Sequence, residues 1–278
     1  MVDRFAAFSF VDRITEFEPG RRARGRYAVP AGIPAFPPCL VAEAVGQLAA
    51  WVAMAHVAFR GRPVAALAHE TRFHRDAVPG DALELGVEIE SCDDEAVAYS
   101  GWAKRDGALV IELVDCLGPM LPVAEFDAPE ALAERFALLR GPGAEPGRFR
   151  GVAAPRVVPG ESVPGERAAA TLHVPRAAPF FADHFPRRPV FPATLLLDAQ
   201  IRLALQVARE AKPWPAGTAP APARMTHVKV RSFIPPGAIV AIGAQMADTG
   251  TGKIMLSAYA NDRSVATARL EFAPRATA

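Results

Sequence analysis

The longest apolar run in the chain, CLVAEAVGQLAAWVAMAHVAF at 39–59, is interrupted only by Glu43, Gln47 and His56 among residues that can carry charge or an amide. Its length and nearly all-round hydrophobicity predict a buried helix, and the polar interruptions argue against a membrane span. Beyond it, LELGVEIESC, AVAYSGWAK and ALVIELVDCL alternate apolar and polar positions with period two, as half-buried strands do. Further on, a second apolar helical stretch following PVFPATLLLDA precedes three more alternating segments, IVAIGAQMAD, KIMLSAYAN and VATARLEFA. DTGTGK and NDRS between these read as hairpin turns. DTGTGK is not a phosphate loop, because Ala247 stands where the first glycine of such a loop is needed and Ile follows Lys253.

The pattern occurs twice. Pro19, Gly20, Val29 and Pro30 match Pro164, Gly165, Val174 and Pro175 at an offset of 145. PAFPPCLVAEA (34–44) matches PVFPATLLLDA (189–199) at an offset of 155, pairing Glu43 with Asp198. Pro79-Gly80 matches Pro236-Gly237 at an offset of 157. Each copy has an entry strand, a Pro-rich loop, a long helix and several strands. Residues 1–123 form the first unit and 163–278 the second. The stretch 124–162, rich in Pro, Gly, Ala and Arg, reads as an external linker with one helix at 128–140. A helix against an antiparallel meander buries its apolar faces when the sheet wraps it, giving an α+β class. Two such units joined side by side remove an exposed sheet edge.

Composition narrows the function. Hydrophobic residues make up 51% and charged residues 22% of 278, enough for full cores, and the formal net charge of +1 gives no basic excess for nucleic acid. The start, MVDRFAAFSFVDR, is broken by charge and lacks the apolar core of a signal peptide, so a cytoplasmic location without membrane insertion is expected. The three cysteines, Cys39, Cys92 and Cys116, are widely spaced and read as reduced core residues. His56, His69, His74, His173 and His227 have no metal-ligand spacing, and neither a metal nor a cofactor is expected.

Two oddities stand in FFADHFPRRPVFPATLLLDAQ (180–200): His184 just before a run of prolines, and Asp198 inside the apolar stretch that follows. The segment HFPRRPVFPATLLLDA resembles the signature of the β-hydroxyacyl-acyl-carrier-protein dehydratases, in which an acid on a helix follows the histidine by fourteen positions, as Asp198 follows His184. FSFVDRITEFEPGRR (8–22) is similar to the opening strand and turn of that family, and FHRDAVPGDALELGVEIE to its strand after the helix. The resemblance implies the hot-dog fold, here as a fused double hot dog: two long central helices, each wrapped by an antiparallel β-sheet, the sheets joined side by side. It also implies that a histidine from one unit and an acid from the other share a site.

The repeat then limits the number of sites. The first copy is shorter by the counterpart of RAAPFFADHF and has no histidine between 29 and 42, yet keeps Glu43. Cross-pairing therefore implies one working site, His184 with Glu43, and leaves Asp198 as a secondary or structural acid facing a shortened loop. A neutral imidazole can take a proton from Cα. A carboxyl on an apolar helix is desolvated, which favours the protonated form needed at a departing hydroxyl. Backbone N–H groups of Ala193 and Thr194 at the helix start can receive the charge that develops on the thioester carbonyl. The family has Gly where Ala193 stands; the N–H is kept, and the methyl narrows the approach.

Phe36, Leu40, Phe185, Val190, Phe191 and Pro192 are the candidate acyl-binding residues, while Arg187, Arg188, Lys229 and Arg231 could meet the phosphopantetheine or an acidic carrier protein. The expected activity is dehydration of a 3-hydroxyacyl thioester of acyl carrier protein or CoA, in fatty-acid or polyketide-like synthesis. A hot-dog thioesterase and a non-catalytic acyl-binding subunit are the alternatives. A homodimer of double hot dogs is compatible with this reading.

Overall fold

A computed structural model describes residues 4–211, 214–248 and 252–276. The turn expected at 248–253 falls largely outside them. The strands of the first half are β1 (Arg13–Glu18), β2 (Arg22–Ala28), β3 (Gly61–Pro63), β4 (Leu67–Phe73), β5 (Ala82–Cys92), β6 (Ala96–Arg105) and β7 (Ala108–Pro122). Those of the second half are β8 (Arg156–Val163), β9 (Arg167–His173), β10 (Thr218–Val230), β11 (Ile239–Asp248), β12 (Lys253–Ala260) and β13 (Arg263–Ala276). The helices are α1 (Pro38–His56), α2 (Pro129–Arg140) and α3 (Ala193–Ala211).

All strands but β3, which pairs with β7, lie along one antiparallel path: β1-β2-β5-β6-β7-β4-β10-β13-β12-β11-β9-β8. Read inward from either end, the two halves have the same order of corresponding strands. They meet at β4 and β10, paired from Arg72↔Arg224 to Leu67↔Lys229. α1 lies against β2, β5, β6 and β7, and α3 against β9 to β13, so each helix is cupped by the strands of its own half. α1 is long and apolar enough by composition to cross a membrane, but 61% of that stretch is buried inside the protein, as for a core helix. The repeat's Pro-Gly turns recur in backbone detail. Gly20 and Gly165 have φ of +66° and +73°, and Gly80 and Gly237 have +95° and +79°, a region glycine enters without steric penalty. The NDRS turn is a tight hairpin with Asn261 and Asp262 both at positive φ (49° and 59°).

Three readings of the sequence need correction. Each half opens on a hairpin (β1-β2, β8-β9) rather than one strand. β8 occupies 156–163, so the stretch read as linker ends in a strand, although its expected helix is present at Pro129–Arg140. The seam strands β4 and β10 were not anticipated. TAPAPARMTHVKV reads poorly as a central strand because of Pro220 and Pro222. Those prolines sit where β10 is paired with β13 alone. β4 joins only from Arg224 onward, where an N–H is needed on each side.

Candidate active site

The N-terminal ends of α1 and α3 meet. Thr194, in the first turn of α3, donates its hydroxyl proton to Glu43 Oε2 at 2.8 Å, and Gln47, one turn along α1, donates from Nε2 to Glu43 Oε1 at 3.0 Å. Both carboxyl oxygens are thus held, one from each half of the chain.

His184 comes from the long loop that only the second half possesses. A single 3-10 turn (Pro179–Ala182) starts the loop, and the His184 N–H donates to Phe180 O at 2.9 Å. Buried Phe180, Phe181, Phe185 and Phe191 anchor it, and it bends back on itself beyond His184, the Val190 N–H donating to His184 O at 3.1 Å. The Val190 carbonyl lies 3.0 Å from His184 Nδ1. A carbonyl can only accept, so Nδ1 carries the proton and Nε2 keeps its lone pair. The ring stacks on Phe185 at 4.2 Å and meets the edge of Phe8 at 5.6 Å. Burial lowers the His184 pKa below the usual imidazole value, the nearby Glu43 charge and the Val190 bond oppose this, and Arg62 adds to the lowering.

His184, Glu43, Ala193 and Thr194 line one cavity of about 230 Å³. It runs from this polar end along α1, past Gln47, Ala50 and Met54, and under the seam at Thr71 of β4 and Met225 of β10. Exposed Leu67 and Leu117 lie at its rim. The N–H groups of Ala193 and Thr194 are first-turn donors without an intrahelical acceptor, and the hydrogen bonds of the described residues give them no other.

Of the acyl-binding candidates, Phe185, Val190 and Phe191 line the cavity. Phe36, Leu40 and Pro192 do not. Phe36 is packed into an aromatic cluster with Phe10, Tyr27 and Phe149, at ring separations of 5.6, 5.5 and 6.1 Å. Leu40 is buried in the main core. Pro192 closes the first turn of α3, its carbonyl accepting from the Leu195 and Leu196 N–H groups. The basic candidates are exposed and partly engaged: Arg187 donates to Ala124 O, Arg188 pairs with Glu125, and Arg231 donates toward Ser264 and Thr267.

Asp198 is outside the cavity. Arg202 holds it at 2.9 Å across one turn of α3, and burial raises its pKa against that partner. The repeat register makes the asymmetry plain. Glu43 and Gln47 correspond to Asp198 and Arg202, Thr194 to Cys39, and Ala193 to Pro38. The second location therefore lacks the histidine loop, has an acid tied to a guanidinium, and has a proline where the first helical N–H would be.

The sequence reading passed over four participants. Gln47 was visible as an amide one turn after Glu43. Asp183, directly before His184, is buried and accepts the N–H groups of Phe5, Ala7 and Phe8. The Thr194 hydroxyl was hidden behind the role given to its backbone. Nothing local marks Arg62, whose guanidinium covers the Phe185 ring at 4.1 Å, lies 3.7 Å from Asp127 and is lowered to a pKa of about 10 chiefly by burial.

An ApeI dehydratase family model matches residues 161–269, and a FabA-like domain model matches residues 4–114. The 3-hydroxyacyl-(acyl-carrier-protein) dehydratase FabZ of Symbiobacterium thermophilum is 33% identical over 132 residues, which is 40% of this chain and 91% of that protein. The chain belongs to the FabZ dehydratase family. The FabZ dehydratase of Bacillus subtilis is 36% identical over 124 residues, covering 40% of this chain and 88% of that protein. Each of these two relatives aligns with 40% of this chain. Over the whole length the fold is hot-dog-like. It is similar to the TesB protein of Mycobacterium avium subsp. paratuberculosis, with a TM-score of 0.57, 16% identity and coverage of 94% of this chain and 95% of that one. It is also similar to an acyl-ACP thioesterase of Bacteroides thetaiotaomicron, with a TM-score of 0.55, 8% identity and coverage of 91% and 98%.

Proposed function

We propose that the chain is a fused double hot dog that dehydrates a (3R)-3-hydroxyacyl thioester to the trans-2-enoyl thioester at one site shared by its two halves. The second unit begins at β8, not at residue 163. The observation that carries the reading is that His184 and Glu43, from different halves, face one cavity while Asp198 is tied to Arg202 outside it.

In this reading His184 Nε2 removes a proton from Cα. The freed pair forms the Cα–Cβ double bond and the Cβ–O bond breaks. Glu43 gives a proton to the departing hydroxyl, which leaves as water. A Glu43 protonated on Oε2 uses the same 2.8 Å contact in reverse, with the Thr194 hydroxyl accepting. The cycle ends with imidazolium and carboxylate, and transfer of that proton back to Glu43 restores the resting pair. As the Cα proton leaves, charge on the thioester oxygen meets the Ala193 and Thr194 N–H groups and the positive end of α3. The acyl chain lies along α1 under the β4-β10 seam, and acyl carrier protein or CoA presents the thioester from the rim at Leu67 and Leu117.

Incubation with 3-hydroxyacyl thioesters of carrier protein and of CoA, followed by mass spectrometry, tests this. Loss of one water with the thioester intact is the expected result. Release of free thiol without an enoyl product would instead identify a thioesterase, and binding without turnover an acyl-binding subunit.

A further inference from the structure

The peptide unit of Phe8 is gripped at both ends. Its N–H donates to Asp183 Oδ2 at 2.8 Å, and its carbonyl accepts from Gln47 Nε2 at 2.9 Å. The neighbours repeat this division. Phe5 and Ala7 N–H donate to Asp183 at 2.6 and 2.9 Å, and Phe10 N–H donates to Gln47 Oε1 at 2.8 Å. Residues 5–10 precede β1 and have no ladder partner, so these two side chains supply the partners that a strand would have provided. Asp183 adjoins His184. Gln47 spends its second amide hydrogen on Glu43 Oε1 at 3.0 Å. One segment of the first half is therefore strung between the neighbour of the base and the support of the acid, and its Phe8 ring also meets the His184 ring edge-on at 5.6 Å.

We propose that residues 5–10 form a clip that sets His184 and Glu43 in register, with Asp183 and Gln47 as positioning residues at its two ends. The proposal rests on the dehydratase reading for its kinetic consequence but not for the clip itself. Asp183 is 8% exposed, and a buried carboxylate that takes three backbone N–H groups, that of buried Phe8 among them, fixes their position, because releasing a buried donor leaves it unpaired. Misplacement of reacting groups by about 1 Å costs on the order of a hundredfold in rate, so loosening either end of the clip acts on turnover more than on binding.

The test combines kinetics with amide hydrogen exchange on Asp183→Ala, Asp183→Asn, Gln47→Leu and the double variant Asp183→Ala/Gln47→Leu. Each alanine or leucine variant is expected to lower kcat about 30-fold with KM within about threefold, and Asp183→Asn, which keeps an acceptor in the same space, to recover much of the loss. The double variant should fall no more than about threefold below the worse single, because one clip is released only once. Exchange should also cross the clip: Asp183→Ala speeds exchange at Phe10, which Gln47 holds, and Gln47→Leu speeds it at Phe5 and Ala7. Where Asp183→Ala does not fold, Gln47→Leu is the variant read, through exchange at Phe5 and Ala7. Multiplicative losses in the double variant, or exchange changes confined to the end that was altered, would overturn the proposal. A wild type that makes no enoyl product would sink the dehydratase reading alone, and the exchange pattern would still decide the clip.

Discussion

Thr194 Oγ1 and Glu43 Oε2 are 2.8 Å apart across the meeting point of α3 and α1, so the helix start that offers backbone donors also holds the acid. The repeat puts Cys39 and Asp198 in the corresponding places, and there the acid turns to Arg202 instead.

Thr194→Val keeps the shape and the backbone N–H but removes the hydroxyl. A hydrogen bond to a carboxyl of this kind contributes about 1.5 kcal/mol, which corresponds to roughly tenfold in kcat. Thr194→Ser should restore most of the rate. Steady-state kinetics on a 3-hydroxyacyl thioester checks both, and an unchanged kcat in the valine variant would remove Thr194 from the support of Glu43.

His184→Ala and Glu43→Gln should each lower turnover by a thousandfold or more, on the order expected when a proton-transfer group is removed, while circular dichroism remains native. Asp198→Asn should leave turnover within about threefold. If Asp198→Asn abolished activity and Glu43→Gln did not, the assignment of the two acids would be reversed.

The rate should also depend on pH through His184. Its pKa is lowered by burial, so the free base persists below pH 6.5, and kcat/KM should fall only as pH drops below that value. Arg62 adds to the lowering. Arg62→Leu should therefore move the acid limb toward higher pH, and a limb that stayed in place in a pH–rate profile would contradict the effect. A depressed folded pKa also carries a stability consequence. The part of the stability due to neutral His184 is complete above the unfolded value and declines as pH falls through the folded one.

The seam between halves has its own pH signature. Glu70 of β4 accepts from Arg72 Nε at 3.0 Å and from Arg224 Nε of β10 at 2.6 Å. These bonds hold its carboxyl at a pKa of about 2, below the usual glutamate value of 4.5. The stability they supply is present above pH 4.5 and is lost as pH falls toward 2. Thermal melts between pH 5 and 2 should show Glu70→Gln losing less stability over that range than the parent.

The sequence by itself made the two helices and most of the strands legible, through local patterns: period-two alternation and Pro-Gly turns. The expectation that His184 and Glu43 share a site came from the family resemblance together with the loop deletion that leaves one histidine for two acids. Tertiary structure decided the rest. β10 was illegible because its prolines are tolerated only where a single neighbour pairs with it, a fact of register and not of composition. Phe36 and Leu40 looked like cavity residues and belong to the core, since an apolar side chain does not encode which apolar surface it meets. Asp183, Gln47 and Arg62 gained their places through contacts between residues far apart in the chain. Asp183 meets Phe5 across 178 positions, and only packing brings such a pair together.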